Sequence, residues 1–352
     1  MSIYGRGVMA GGKRPIPINV STNGTWSRDG GYSPVTVSVR ASEVTSGTKD
    51  ITANGRYNIA EFKNVEVHVP VSAVTSGTKV VIANGDYDVT EFKSVNVIIG
   101  TYVSTTPVEG LSYVDGLPND WNRIKEIAKI ISEASDSINA NTTGSIYVNN
   151  GNTWAYKITP GNTISVTSTA GTYTYAVMGF NNFALTNQNH YGGTHTTAGL
   201  TFGAVDCVGM YQMNSYNTNS GGWGNCLMRT STMRTLQSGM PATLAQVRVP
   251  YVNRGQSTIL YSDDYLFLPA EKEVFEERKC SLIAEADALT QFAYYKNGGN
   301  KIKIFSGSTV HWWLRSVYYY DNLDFCEVDH LGRANSRLAG DPYCHAAPCF
   351  CV

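Results

Sequence analysis

Two periods of apolar spacing divide the chain. Between residues 43 and 99 apolar and polar positions alternate in short runs. Val65-Glu66-Val67-His68-Val69 and Val95-Asn96-Val97-Ile98-Ile99 each put every second side chain on one face, the pattern of a strand with one apolar side. From Asn119 the period changes. Trp121, Ile124, Ile127, Ala128, Ile131, Ala134 and Ile138 follow i, i+3, i+4 spacing behind Asp120, a residue type suited to an N-cap. This spacing predicts an amphipathic helix of about five turns whose stripe suits either a coiled-coil seam or packing on the domain after it, and a length too short for a sustained heptad array favours packing. Beyond residue 140, β-prone runs (Gly144 to Val148, Thr153 to Ile158, Thr163 to Ser168, Tyr173 to Gly179) alternate with Gly and Asn punctuation. Helical stretches are expected near Leu227 to Leu236 and from Ala270 to Phe275. The mixture predicts an α+β fold rich in loops, and loops on a fixed scaffold commonly carry function.

The alternating region is a repeat. EVTSGTKDITANGRYNIAEFKNVEVHV (Glu43 to Val69) recurs without a gap as AVTSGTKVVIANGDYDVTEFKSVNVII (Ala73 to Ile99), and a degenerate copy shows in Asn23-Gly24-Thr25-Trp26 with Val35, Val37 and Val39. Asn54-Gly55 and Asn84-Gly85 tolerate φ > 0, so each copy is expected to turn as a hairpin. A module with one apolar face needs neighbours to cover it, which suits a stalk built from a homo-oligomer. The resulting division is an attachment segment with a degenerate repeat over 1–40, two repeats over 41–101, a linker and helix over 102–140, and a C-terminal domain over 141–352.

Composition removes several function classes. With 27 Lys and Arg against 28 Asp and Glu, the net charge is −1, which gives no field for a nucleic-acid backbone. Charged residues are 16% of the chain, so its surface must be polar through Tyr (22), Asn, Ser and Thr. No apolar run approaches a membrane span, and MSIYGRGVMAGGKRPIP lacks the apolar core of a signal peptide, so neither membrane insertion nor signal-directed export is expected. The seven cysteines do not form a disulfide framework, and without CxxC pairs they read as buried small hydrophobes.

The motifs that announce an enzyme are missing: no GxSxG, Walker A, dinucleotide fingerprint or HExxH occurs. His190 and His195 share a Gly/Thr loop at poor ligand spacing, and Asp263-Asp264 and Glu276-Glu277 are adjacent pairs whose side chains diverge, which suits solvated or capping roles. No catalytic residue, metal or cofactor is assigned. From Val317 to Val352 there is no Lys, Gln, Met, Trp, Ile or Thr, while Tyr318-Tyr319-Tyr320, His330, Arg333, Arg337 and Tyr343 crowd together without helix or strand period. Tyr brings contact area at low entropic cost and Arg brings forked donors, the composition of a recognition surface.

His311-Trp312-Trp313-Leu314-Arg315-Ser316, about thirty irregular residues, and Ala347-Pro348-Cys349-Phe350-Cys351 together resemble the variable proteins of diversity-generating retroelements. Gly221-Gly222-Trp223, Met228-Arg229 and the run Asp264 to Glu271 with Glu273-Val274-Phe275 match in the same order, so the resemblance covers roughly residues 175 to 352. It implies a C-type lectin-like domain of the formylglycine-generating-enzyme kind, with a region over about 317–346 that varies where Asn codons of a template are randomised. Such codons exclude Lys, Gln, Met, Trp and Glu, and within Val317 to Val352 only Glu327 departs from that rule.

The resemblance implies variable, ligand-contacting roles for Tyr318, Tyr319, Tyr320, Asp321, Asn322, Leu323, Asp324, Asp329, His330, Leu331, Arg333, Asn335, Ser336, Arg337, Leu338, Asp341, Tyr343 and His345. Trp312, Trp313, Leu314, Phe325, Val328, Ala334, Ala339 and Phe350 are the implied scaffold. The calcium-binding Glu-Pro-Asn and Gln-Pro-Asp tripeptides are missing, so the lectin name implies a fold and not sugar binding.

The thirty-residue modules resemble repeats of bacteriophage tail and fibre proteins. Together the halves imply a virion-displayed receptor-binding protein at a tail-fibre tip, made in the host cytoplasm. It would be trimeric by analogy with phage fibres, attached to tail or baseplate proteins through its N-terminus, and would bind a host surface protein or glycan without turnover. Two other readings fit the same residues. One is a bacterial surface adhesin of the same fold. The other is a copper-dependent oxidase using Cys349 and Cys351, alternate residues whose side chains would project together from one strand.

Overall fold

The computed structural model describes residues 15–19, 24–27, 56–57, 66–70, 78–81, 85–88, 94–97, 101–107, 111–150 and 154–352. The chain divides into two compact units, Met1–Val114 with Tyr147–Lys157, and Asp115–Ile146 with Ile158–Val352. The helix after Asn119 lies in the second unit.

In the first unit, equivalent strands of the repeats assemble with one another. Gly24–Ser27 runs parallel to Gly85–Asp88 with Gly24 opposite Gly85, and antiparallel to Arg56–Tyr57. Pro15–Asn19 pairs antiparallel with Glu66–Pro70 and parallel with Ser94–Val97, whose other neighbour is Thr78–Val81. The hairpin expectation is corrected here. The strands on either side of Asn84, Thr78–Val81 and Gly85–Asp88, join different sheets and do not pair with each other. Each repeat thus contributes strands to two shared sheets, in which Gly24–Ser27, Arg56–Tyr57 and Gly85–Asp88 meet across copies while Thr78–Val81 pairs with Ser94–Val97 of its own copy. Asn54-Gly55, Val35, Val37 and Val39 lie outside the described residues, as does most of the expected attachment segment.

In the second unit, helix α1 (Trp121–Glu133) starts where expected: the Asp120 side chain accepts from the Asn122 N–H at 3.0 Å. Its apolar stripe of Ile124, Ile127, Ala128 and Ile131 is fully buried. The Asn181 side-chain amide donates to Ile131 O at 2.8 Å and Ile138 O at 2.7 Å, tying off the helix end and the turn beyond it. The backbone approaches so closely beside α1 that a Cβ on Gly199 would run into the Ala128 carbonyl, which explains the glycine.

One five-stranded sheet contains β1 (Thr163–Ser168), β2 (Gly171–Phe180), β3 (Leu200–Ala204), β5 (Leu266–Phe267) and β10 (Cys349–Cys351) in the order β1-β2-β3-β10-β5, all antiparallel. A second contains β4 (Gly209–Met210), β6 (Trp312–Val317), β7 (Asp324–Val328), β8 (Ala334–Leu338) and β9 (His345–Ala346) in the order β4-β9-β6-β7-β8. Phe202 stacks on Phe350 at 5.1 Å between ring centroids, and Trp121 of α1 meets both rings.

The α+β class expected for this chain is corrected to a mainly β architecture. Among the described residues α1 alone exceeds six residues. The helical stretches expected near Leu227 to Leu236 and from Ala270 to Phe275 are present but short: a six-residue π-helix, Met228–Met233, runs into a single α-helical turn, Arg234–Gln237, and helix α2 spans Glu271–Val274. Runs this short between Gly, Pro and Asn cannot sustain a helix beyond its costly nucleus, so the strands carry the fold.

Candidate functional site

Every residue of β6 is buried, and its two tryptophans face opposite sides: Trp312 lies opposite Val328 and Trp313 opposite Glu327. Both rings are fully covered, with Trp312 Nε1 donating to Lys301 O at 2.9 Å and Trp313 Nε1 to Tyr211 O at 2.6 Å. Arg315 is buried in a fork-to-fork pair with Glu273 (2.6 and 2.7 Å) and also donates to Leu268 O and Pro250 O. Asp264 does not sit in solvent or at a cap, as its adjacency to Asp263 suggested. It is buried and accepts from Trp223 Nε1 (2.9 Å), Arg229 Nε (2.6 Å) and Ser262 Oγ (2.6 Å). Charges this deep are tolerable only when fully hydrogen-bonded, and the Arg315 pair anchors β6, the strand on which β7 pairs.

The expected scaffold and contact residues separate by burial with few exceptions. Trp312, Trp313, Leu314, Phe325, Val328, Ala339 and Phe350 are buried. Tyr319, Tyr320, Asn322, Leu323, His330, Leu331, Arg333, Asn335, Leu338 and Tyr343 are exposed, and Tyr318, Asp321, Asp324, Ser336, Arg337 and Asp341 are half-buried. Three assignments are corrected. Ala334 is half-exposed because it lies on edge strand β8. Asp329 is buried because it builds the turn: its Oδ1 accepts from Leu331 N and Arg333 N, both at 2.9 Å. Burial works against its charge, but hydrogen bonds from Arg333 and Leu331 outweigh this and hold the carboxyl below its usual range. His345 is buried on β9, where it stacks near Phe305 and its Nδ1 lies 3.2 Å from His311 O. Burial lowers its pKa, so the ring favours the neutral form.

Nor is the expected surface one face. Directly opposed residues of an antiparallel pair share a side, so the register of β7 with β8 sorts them in two. Asp324↔Leu338, Cys326↔Ser336 and Val328↔Ala334 lie on one side, and Phe325↔Arg337 and Glu327↔Asn335 on the other. The first side continues into the three tyrosines, whose ring centroids are 5.2 to 6.3 Å apart. Buried Asn219 pins this loop by donating from Nδ2 to Asp321 O (3.0 Å) and Asp324 O (2.8 Å). Arg278 lies over the Tyr319 ring at 5.4 Å, and the two border an open cleft of about 750 Å³ floored by Leu282, Ile283 and Ala284.

The second side is organised by Glu327. This fully buried carboxylate sits 3.0 Å from His311 Nδ1 and accepts from Asn335 Nδ2 at 2.9 Å and Arg337 Nε at 2.6 Å. Arg337 reaches on to Asp341 Oδ2 at 2.6 Å. His311 Nε2 in turn meets His330 Nδ1 at 3.2 Å. Glu327, His311 and Asn219 were not singled out from the sequence as site residues. Glu327 carried a signal as the one residue of its segment outside the randomised-codon set, and His311 opens the motif on which the resemblance rests.

All seven cysteines are unpaired and buried. Burial pushes the Cys351 thiol up to about 12 and Cys349 higher still, so both are held as thiols. Cys351 Sγ lies 3.5 Å from Thr201 Oγ1, the closest polar contact of either thiol.

Residues 204–352 match the family described as Domain of unknown function (DUF6273), a span that takes in both sides of the hairpin. No curated protein and no solved structure matches the chain.

Proposed function

We propose that the chain is a binding protein carried on a phage particle, and that the β7–β8 hairpin and the tyrosine loop before it contact a host surface protein or glycan. The observation that carries this reading is the separation of side chains on a fixed backbone. The tyrosines, His330, Arg333, Asn335 and Tyr343 project outward, while Trp312, Trp313, Phe325 and Val328 hold the same strands from beneath. On such a surface, side chains change without disturbing the core, which is what a diversified binding segment requires. Exposed Tyr and Arg are also the residues that most often dominate binding energy.

In this reading the repeats form an oligomeric stalk, with a trimer the expected state, and the N-terminus attaches to tail or baseplate proteins. Many copies per particle bind with avidity, so a single face need bind only weakly.

The test replaces Tyr319, Tyr320, Arg333 and Tyr343 together with Ser and measures adsorption of the particle to its host. Adsorption should be lost while the melting temperature stays within a few degrees, because exposed substitutions rarely cost more than about 0.5 kcal/mol each. Adsorption at the wild-type rate overturns the proposal. Comparison with a second isolate gives an independent check, since differences should concentrate in residues 317–346 and spare Glu327.

A further inference from the structure

The turn between β7 and β8 holds one histidine over another. Asp329 N donates to Arg333 O at 2.8 Å and Gly332 N to Asp329 O at 2.9 Å, with Gly332 at φ +79. This closed turn places His330 Nδ1 3.2 Å from His311 Nε2. His311 is itself oriented from behind: its Nδ1–H donates to the Glu327 carboxylate at 3.0 Å, which leaves the lone pair on Nε2 and directs it toward His330.

A carboxylate behind one imidazole nitrogen and an open lone pair on the other is the arrangement by which proteins orient a metal-binding histidine. Two nitrogens on a tetrahedral zinc ion at 2.0–2.1 Å stand about 3.3 Å apart, so the two nitrogens, joined here by a 3.2 Å hydrogen bond, already have the spacing that chelation needs. We propose that His311 Nε2 and His330 Nδ1 form a two-imidazole site for a divalent transition metal of the zinc or copper class, its remaining positions open to water or an oxygen ligand.

The charges facing the site favour a dication. Glu327 and Asp341 both contact Arg337, so two carboxylates surround one guanidinium and the group is net negative with neutral imidazoles. Among the described residues His345 is not placed with this pair as a third ligand, and its Nδ1 faces the His311 carbonyl. His330 is exposed and the His311 side chain is 30% exposed, so an ion reaches both from solvent. Loading requires only that His330 carry its proton on Nε2 in place of Nδ1, with no change in net protonation. Among the described residues no group of three or more His, Cys, Asp or Glu is placed to hold a metal, so the protein supplies two ligands here and leaves the others to solvent or a bound partner. The site stands independently of host binding.

Calorimetric titration of the metal-stripped full-length protein with Zn²⁺ alone at neutral pH should show one equivalent bound, and His330→Ala should remove it. With Cu²⁺ as probe, nitrogen hyperfine coupling in the electron paramagnetic resonance spectrum should report two imidazoles in the wild type. His330→Ala and His311→Gln should each reduce this to one at most. His330 is exposed on a turn whose hydrogen bonds come from Asp329, so its substitution leaves the fold intact, and circular dichroism checks this. The proposal is overturned if the wild type binds no Zn²⁺ at concentrations on the order of 1 mM, an affinity weaker than about 4 kcal/mol. It is equally overturned if His330→Ala binds the ion as the wild type does.

Discussion

Glu327 and Arg337 join the two strands of the hairpin from positions that are not opposed. Arg337 faces Phe325 in the register, yet its Nε reaches the Glu327 carboxylate at 2.6 Å diagonally across the sheet. One of the side chains expected to vary freely is thus tied to the one acidic residue that is fully covered within the hairpin.

Glu327→Gln should therefore destabilise the protein by about 3 kcal/mol, toward the lower end for a broken buried pair because Arg337 keeps some contact with water and with Asp341. Tyr320→Ser should change stability by less than about 0.5 kcal/mol. Urea unfolding of the two variants side by side checks the contrast, and equal midpoints would show that the buried carboxylate bears no special load.

Trp312→Ala and Trp313→Ala should each cost about 3–5 kcal/mol, since each ring is fully enclosed and each indole N–H has a carbonyl partner that would be left unpaired. A melting temperature unchanged in either single variant would contradict the two-sided anchoring.

Glu285 gives the fold a pH dependence. It is buried in helix α3 (Ile283–Ala288), and desolvation pushes its pKa up to about 7 from 4.5 despite the nearby charge of Arg315. A carboxyl whose folded pKa is raised binds its proton more tightly in the native state. Its contribution therefore favours folding at low pH, declines as pH rises from about 4.5, and levels off above about 7. Glu285→Gln removes that decline and should be more stable than the wild type above pH 7 by up to about 3 kcal/mol, with the difference vanishing below pH 4.5. Chemical denaturation at several pH values measures it, and a gap that widens toward acid would refute the sign.

Gly332→Ala should cost about 1 kcal/mol or more. The position has φ +79, where a side chain is strained, and the added Cβ would come within 3.1 Å of Ile302 Cγ1. Calorimetric melting shows the loss directly.

Light scattering at micromolar concentration should give a multiple of the 38.3 kDa chain mass, three chains being expected for the stalk. A monomer would remove the stalk reading and leave the hairpin untouched.

Local pattern made some elements legible and left others hidden. β-prone runs between Gly and Asn located β1 and β2, and the stripe behind Asp120 located α1, because propensity, period and cap are carried by neighbouring residues. The adjacency of Trp312 and Trp313 was enough to place them on opposite sides. Asn84-Gly85 misled because a turn-prone dipeptide does not say whether its flanking strands meet each other or join different sheets. Asp329 and His345 look like exposed polar residues until the turn and the β9 pairing give them partners. The division of the hairpin into a tyrosine side and a Glu327 side follows from the β7–β8 register, which no single strand encodes.

Strand β10 lies between β3 and β5, and Thr201 faces Cys351 across 150 residues of chain. That sheet cannot close until its last strand is in hand, and every residue of the outward-facing segment precedes that strand. The outward-facing segment and the strand that completes the sheet lie only a few residues apart in the chain, so the two reach the fold together. The segment is thus moored at its C-terminal side to the middle of a sheet whose other strands lie within residues 163–267, and through Glu327, Asp329 and the tryptophans to its own hairpin and to the residues beneath.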